Sequence, residues 1–261
     1  MGKTIVISNQ KGGCGKSATA ANLGVGLARQ GKRVLVLDAD PQNSLAVSLG
    51  ITEPDKLKST LASVIANIIN ETDYDPSEGI IHHSEGIDLV PASIALTNTE
   101  LSLVQVMGRE TILRQYIEKV KPLYDFILID TSPSLGLLTV NALAASDCVI
   151  VPVTPKFLDA KGLELLLRSI AQIRRIINPH LMISGILLTM VDRRANFTRE
   201  IISLVENAYG GKIRIFDEYI PHSIRASEST AHGVSIFSHD PNGKVAAAYA
   251  ALTREVLSDA A

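Results

Sequence analysis

Two lysines five residues apart frame a glycine-rich run, Lys11-Gly12-Gly13-Cys14-Gly15-Lys16-Ser17. Glycines let backbone N–H groups approach an anion that a Cβ would hold off, and some positions in such a turn need positive φ. A helix that starts directly after the turn adds unpaired N–H groups and a favourable dipole. The chemistry these residues allow is phosphate binding, with Lys16 for the β- and γ-phosphates and the Ser17 hydroxyl for Mg²⁺. Gln10 stands where the commoner G-x-x-x-x-G-K-[ST] loop has its first glycine, so the loop is a variant. One lysine serves one nucleotide, and Lys11 needs a second explanation.

Carboxylates follow in the order a nucleotide site requires. Asp38-Ala39-Asp40-Pro41-Gln42 comes directly after the apolar run Val34–Leu37. Open α/β sheets bind their ligands at that end of the strands. Asp38 is expected to support the metal shell and Asp40 to orient or activate the attacking water. Phe126-Ile127-Leu128-Ile129-Asp130 sets a third carboxylate behind four apolar residues. That is the place for a group holding a metal-bound water beside Ser17. Asp130-Thr131-Ser132-Pro133 then turns toward Gly136, a loop suited to sensing the γ-phosphate.

The elements that must position these residues alternate between apolar strand-like runs and helical patterns. This implies an α/β fold: a doubly wound, mostly parallel sheet with helices on both faces. Strands are expected at Thr4–Ser8, Val34–Leu37, Ile87–Val90, Phe126–Ile129, Val149–Val153 and Ile183–Met190. Helices are expected at Lys16–Gln30, closed by Gly31, and at Glu110–Val120, Leu135–Ala144, Lys161–Ile177, Thr198–Ala208 and Val245–Leu257. The stretch from Asn43 to Tyr74 reads as helix mixed with loop. No repeat, low-complexity tract or Pro/Ser linker breaks the chain, so a single domain over residues 1–261 is expected. No helix-turn-helix pattern precedes the first strand, which fits a short form without an operator-reading module.

Composition bounds the alternatives. The 261 residues are 46% hydrophobic and 20% charged, with a formal net charge of −2, as for an ordinary globular chain. Two cysteines, Cys14 and Cys148, stand far apart, which excludes a cysteine-rich metal cluster and fits a reduced compartment. No apolar run approaches the roughly 18–20 residues of a membrane span. No secretory signal opens the chain, so a cytoplasmic location is expected.

Together these segments resemble the ParA/Soj branch of the deviant Walker-A ATPases, which partition plasmids and chromosomes. Lys11–Ser17 resembles that family's KGGxGK[ST] loop and Ala20-Ala21-Asn22-Leu23-Gly24 its following helix. Val36–Gln42 resembles its switch I, and Asp130–Gly136 its switch II. Gly185–Met190 and Ile220-Pro221-His222-Ser223-Ile224-Arg225-Ala226-Ser227-Glu228 resemble its late strand and its IPRNxRLSEA-type segment. The resemblance covers nearly the whole chain and is weakest over 52–109.

The resemblance implies ATP and Mg²⁺ as cofactors, and a homodimer that closes over two nucleotides when ATP binds. It assigns Lys11, Gly12, Gly13, Cys14, Gly15, Lys16, Ser17, Ala18, Asp38, Met190 and Pro221 to the nucleotide, and Ser17, Asp38 and Asp130 to the metal. Lys11, Lys16 and Asp40 carry catalysis, and Lys11 reaches the partner subunit's phosphates, as an arginine finger does. Slow intrinsic hydrolysis, stimulated by a ParB-like partner, is implied too. Ser17 replaces the commoner Thr and Cys14 a small aliphatic residue. His222 stands where the family often has Arg. Cys14 is expected to pack as a small hydrophobe, although a thiol at a helix N-terminus is open to a lowered pKa.

Charge is unevenly spread. From Val151 to Arg225, eleven Lys and Arg face seven Asp and Glu, a balance of +4 against −6 for the remainder. A basic stripe over several elements suits sequence-independent phosphate contacts. Arg193, Arg194 and Arg225 fall where Soj-like proteins carry DNA-contacting arginines, so non-specific double-stranded DNA is the implied partner and a nucleoid-associated location follows. The alternative is a MinD-like positioning switch for a protein or membrane-associated cargo. The MinD branch ends in a membrane-binding helix, whereas Leu252–Ala261 has one Arg, two acids and no aromatic residue, so no membrane binding is expected.

Overall fold

A computed structural model describes residues 2–192 and 194–259 of the chain. Strands run over Lys3–Ile7 (β1), Val34–Ala39 (β2), Ile81–His82 (β3), Asp88–Val90 (β4), Phe126–Thr131 (β5), Cys148–Val153 (β6) and Met182–Leu188 (β7). Helices span Lys16–Arg29 (α1), Ser44–Ser48 (α2), Leu61–Ile69 (α3), Ala95–Leu103 (α4), Ile112–Val120 (α5) and Leu137–Ala144 (α6). Phe157–Ile176 (α7), Asn196–Tyr209 (α8), Ile224–Ala231 (α9), Ile236–His239 (α10) and Lys244–Ser258 (α11) complete the set. Among the described residues the strands join one sheet in the order β3-β4-β2-β5-β1-β6-β7. All its pairings are parallel except β3 with β4.

The central strands are buried and mostly apolar because helices cover both faces, as the rule for parallel sheets requires. Alternation along each strand sorts the core into two layers. Val6, Leu35, Leu37, Ile127 and Ile129 face the layer of α3, α5, α6 and α7. Ile5, Ile7, Val34, Val36 and Leu128 face α1, α2, α10 and α11. Asp38 and Asp130 continue the even-numbered alternation, which carries both onto the α1 side. β2 and β5 pair with Asp38 opposite Asp130, and β1 and β5 pair with Ile7 opposite Asp130. The loop that leaves β1 therefore begins beside both carboxylates.

Helix α1 ends as its sequence predicts. Gly31 takes φ +76°, its N–H donates to Ala28 O at 2.9 Å, and Lys32 N–H donates to Leu27 O at 3.2 Å. That pair of bonds closes a helix and needs a left-handed residue at Gly31. Helix α11 lies against α1 through Val245, Ala248, Tyr249, Leu252 and Val256, all buried. Its apolar face is thus spent on the core. Contact is close at Gly26, where a Cβ would stand 2.3 Å from the buried Thr253 Oγ1. Replacing a helical glycine by alanine gains up to about 1 kcal/mol of propensity, but overpacking costs about 1–3 kcal/mol. Gly26→Ala is expected to lower the melting temperature by a few degrees; an unchanged or raised melting point would mean that α1 and α11 separate without cost.

Several boundaries differ from the sequence expectation. The last strand stops at Leu188, two residues before Met190, because Met190 takes φ +54°. The helix expected from Leu135 begins at Leu137 and the one expected from Lys161 begins at Phe157. β3, α4, α9 and α10 were not expected from the sequence. They are short, and α4 (ALTNTELSL) mixes polar and apolar residues with little helical periodicity.

Candidate functional site

Residues Lys11–Ala18 form the tip between β1 and α1. Gly13 and Gly15 take φ +69° and +83°, and Gly15 is the left-handed residue that precedes α1. Side chains other than hydrogen are strained in that region. Lys16, Ser17 and Ala18 open the helix, so their N–H groups face the turn with no partner inside the helix. Lys16 is 7% exposed, and its Nζ donates to Lys11 O at 3.0 Å, which holds the ammonium over the loop. The Lys11 side chain, by contrast, is exposed at the loop tip, as are Gly12 and Gly13. Cys14 is 1% exposed, with its Sγ against Lys11 O at 3.3 Å. It packs as the small hydrophobe expected.

Two buried side chains that sequence reasoning missed hold this loop from the sheet. Asn9 Oδ1 accepts the Lys11 N–H at 3.1 Å, while its Nδ2 donates to Pro152 O on β6. Thr189 Oγ1, just past β7, donates to Cys14 O at 2.8 Å. The available signal was one polar residue ending each apolar strand. Met190 follows Thr189, and its Cε lies 3.9 Å from where a Gly15 Cβ would be. A left-handed methionine is an uncommon, costly conformation, of the kind that clusters at functional positions. Pro221 pairs with Val191, the residue after Met190, in an isolated bridge.

The three aspartates have different surroundings. Asp38 is fully buried, and each of its oxygens accepts one backbone N–H, from Asp40 at 3.1 Å and from Ala46 at 3.1 Å. It anchors the turn after β2 and the first turn of α2. Asp40 is 7% exposed and accepts the Gln42 N–H at 3.0 Å. Asp130 is fully buried, and neither of its oxygens has a hydrogen bond of good geometry. Burial pushes the Asp38 and Asp130 carboxyls up; Asp40 raises Asp38 further, and Asp38 and Asp40 raise Asp130. Ser17 and Lys16 lie near enough to Asp130 to oppose that shift. Unbonded buried oxygens are costly unless something pairs with them. Among the described residues no group of three or more His, Cys, Asp or Glu is gathered as a metal cage. Mg²⁺ does not need one, since it takes one or two protein ligands together with phosphate oxygens and waters. Asp130 and Ser17 beside the glycine loop fit that pattern.

The arginines assigned to DNA fall on two segments that the fold brings together. Val191 N–H donates to Ile220 O at 3.0 Å, and His222 N–H donates to Val191 O at 3.1 Å. Arg194 is paired with Asp192 at 2.9 Å and Arg225 with Glu228 at 3.0 Å, both on the surface. Each of these two arginines has a carboxylate beside it. Exposed pairs contribute only about 0–1 kcal/mol, so a phosphate can compete for either arginine. Arg193 lies outside the described residues. No helix among the described residues is long and apolar enough to cross a membrane.

A family model described as an AAA domain matches residues 2–183. The sporulation initiation inhibitor protein Soj of Bacillus subtilis is 39% identical over 99% of this chain and 100% of its own length. The chromosome-partitioning ATPase Soj of Treponema pallidum is 37% identical over 99% of this chain and 98% of its own. Among solved structures, the cobyrinic acid a,c-diamide synthase of Mycobacterium smegmatis with bound ATP analogue and magnesium superposes with a TM-score of 0.87 at 33% identity. That match covers 98% of this chain and 94% of the other. Near-complete coverage at 37–39% identity, on a chain whose glycine loop and three aspartates meet at one sheet edge, leads to one assignment: the chain belongs to the ParA/Soj family of chromosome-partitioning ATPases.

Proposed function

We propose that this ATPase is a DNA-partitioning switch. Mg-ATP closes two copies face to face, the closed pair binds duplex DNA without sequence preference, and hydrolysis, stimulated by a ParB-like protein, releases it. The observation that carries the reading is the different placement of the two loop lysines. Lys16 is buried and folded over its own loop, whereas Lys11 is exposed at the tip. Lys16 then serves its own nucleotide, and Lys11 is placed to reach a nucleotide held by a facing copy. A ligand complete only in the pair stabilises the pair by mass action.

On this reading the residues divide the work as follows. Backbone N–H groups of 12–18 hold the phosphates and Ser17 and Asp130 hold the metal, with Asp38 supporting from α2 and Asp40 aligning the water. Bound Mg²⁺ neutralises charge on the phosphates. Lys11, supplied in trans, favours charge that develops on the transferred phosphoryl group. Met190 and Pro221 border the nucleotide and lead directly into the segments of Arg194 and Arg225. Nucleotide state and DNA surface are thereby adjacent, which supports a single domain coupling both and a location on the nucleoid. Pairing doubles the phosphate contacts, and avidity follows.

The M. smegmatis likeness offers a different chemistry, amide formation. The relatives named Soj match nearly the whole chain at 37–39% identity, against 33% for that synthase. Partition is the better supported reading.

Gel shift on arbitrary duplex DNA tests it. Retarded DNA is expected with ATP and much less with ADP or no nucleotide. Arg194→Glu with Arg225→Glu is expected to weaken the shift at least tenfold and to flatten its salt dependence. Equal shifts in all nucleotide states, or a shift indifferent to the charge reversal, would sink the DNA reading. ATP-dependent sedimentation with liposomes and no DNA shift would support a membrane positioning switch instead.

A further inference from the structure

Gly136 precedes α6 with φ −75° and ψ −179°, a conformation open to any residue. Its backbone does not demand glycine, and the nearest atoms a methyl group would meet are those of the Glu100 carboxylate, which would have to swing aside. A Cβ there would stand 2.1 Å from Glu100 Oε1, 3.1 Å from Glu100 Cδ and 3.4 Å from Glu100 Oε2. Glu100 belongs to α4, within the stretch where family resemblance is weakest. The same Oε1 accepts the Leu138 N–H at 3.2 Å. One carboxylate thus fills the room left by a glycine and satisfies an amide in the first turn of α6, where negative charge is favoured.

That seat lies on the segment that leaves Asp130. Thr131 Oγ1 donates to Ile7 O at 3.0 Å and fixes the segment's start. Thr139 Oγ1 donates to Ser134 O at 2.7 Å and folds its end back on α6. One turn further along α6, Asn141 accepts the Leu113 N–H at 3.0 Å and donates to Arg109 O at 2.7 Å. Region 95–113 therefore grips α6 at two levels, and Glu100 is the grip nearest the nucleotide loop.

We infer that Glu100 is a positioning residue for hydrolysis: seated over Gly136, it sets the loop 132–136 and the start of α6 against the γ-phosphate. The inference rests on the ATP site proposed above. It gives α4 a defined link to that site, through a side chain that touches neither nucleotide nor metal.

The test is a double-mutant cycle on the full chain, reading steady-state ATP turnover and amide hydrogen exchange. Glu100→Ala is expected to lower kcat about tenfold with KM for ATP within about twofold, since misplacement of a positioned group falls on the chemical step. Glu100→Gln keeps an acceptor oxygen and is expected to retain most of the turnover. Gly136→Ala forces the Glu100 side chain out of its seat and is expected to match Glu100→Ala. The double variant has room for the new methyl group and is expected to fall no further than Glu100→Ala alone. Exchange at 134–138 is expected to quicken in Glu100→Ala and Gly136→Ala and to stay slow in Glu100→Gln. Additive losses in the cycle, no rescue by Gln, or unchanged exchange would overturn the inference. Were Glu100→Ala poorly folded, Gly136→Ala and Glu100→Gln still decide it. A wild-type chain without ATP turnover would overturn the reading of the site itself, while exchange still reports on the strut.

Discussion

Lys16→Ala is expected to abolish ATP binding, and Lys11→Ala to leave it nearly intact while removing hydrolysis. The contrast follows from where the two ammonium groups lie. Lys16 is almost fully buried above the turn, at the start of α1. A charged group paired with phosphate in such a place is hard to replace, and truncating one partner of a buried charge pair costs about 2–5 kcal/mol. That corresponds to roughly 30-fold to 4,000-fold in Kd. The loss has no local substitute, because the loop's remaining donors are backbone N–H groups already counted in the wild-type affinity. Lys11 is exposed, so its removal withdraws little from the nucleotide of its own subunit. On the proposed reading it withdraws the cation offered to the other subunit. A charge-stabilising group supplied in trans contributes about 10³–10⁵ to turnover in other phosphoryl-transfer systems. Binding of a fluorescent ATP analogue, run beside turnover and sedimentation velocity, separates the two variants. Lys16→Ala that binds ATP normally would remove the lysine from the cradle. Lys11→Ala with full turnover would end the trans role and, with it, the main reason for reading the loop as half of a two-subunit site.

These lysines were legible in the sequence because the motif that carries them is local. A strand, a glycine turn and a helix start occupy consecutive residues, and the positive φ values fall on glycines. Asp38 and Asp130 were legible for a related reason: each ends an apolar run, and the parallel pairing of β2 with β5 then sets them side by side. What the sequence did not reveal works across distance. Asn9 reaches β6, and Thr189 reaches Cys14 from a position 175 residues away. Glu100 meets Leu138 across 38 residues. A single Asn, Thr or Glu on a mixed segment has no periodicity to announce its target. The different surroundings of the aspartates were equally hidden. Pattern alone placed Asp38 and Asp130 both by the metal, whereas the turn at Asp40 and the start of α2 each give Asp38 one amide donor and Asp130 receives none. The paired state of Arg194 and Arg225 was hidden for the opposite reason. Asp192 and Glu228 lie within three residues of them, but the formal charge sum treats neighbours as independent.

Asp130→Asn is expected to make the protein more stable without nucleotide and nearly inactive with it. Asp130 is held inside the sheet with two unbonded oxygens, directly across from Asp38. Two facing acids in a dry site resist ionising together, and an uncompensated buried charge costs several kcal/mol. Asparagine has nearly the same shape, carries no charge, and can donate its amide to an Asp38 oxygen. A gain of about 1–2 kcal/mol is expected, or roughly 2–8 °C in melting temperature for a chain of this size. The same change removes a carboxylate placed to hold the metal beside Ser17. Turnover is therefore expected to fall about 10²-fold or more, on the scale of losing one preorganised electrostatic group. In the wild type, Mg-ATP adds its binding free energy to the folded state and raises the melting point with ligand concentration. In Asp130→Asn that rise is expected to shrink toward the shift given by ATP with EDTA. Melting curves with and without Mg-ATP, taken beside turnover, give all three readings. A variant less stable than wild type without nucleotide would mean that Asp130 serves the fold. Wild-type turnover would mean that another group holds the metal. Instability without ligand, exchanged for activity with it, is what the proposed switch needs: on that reading Mg-ATP supplies the missing partner of the buried acids and favours the closed pair.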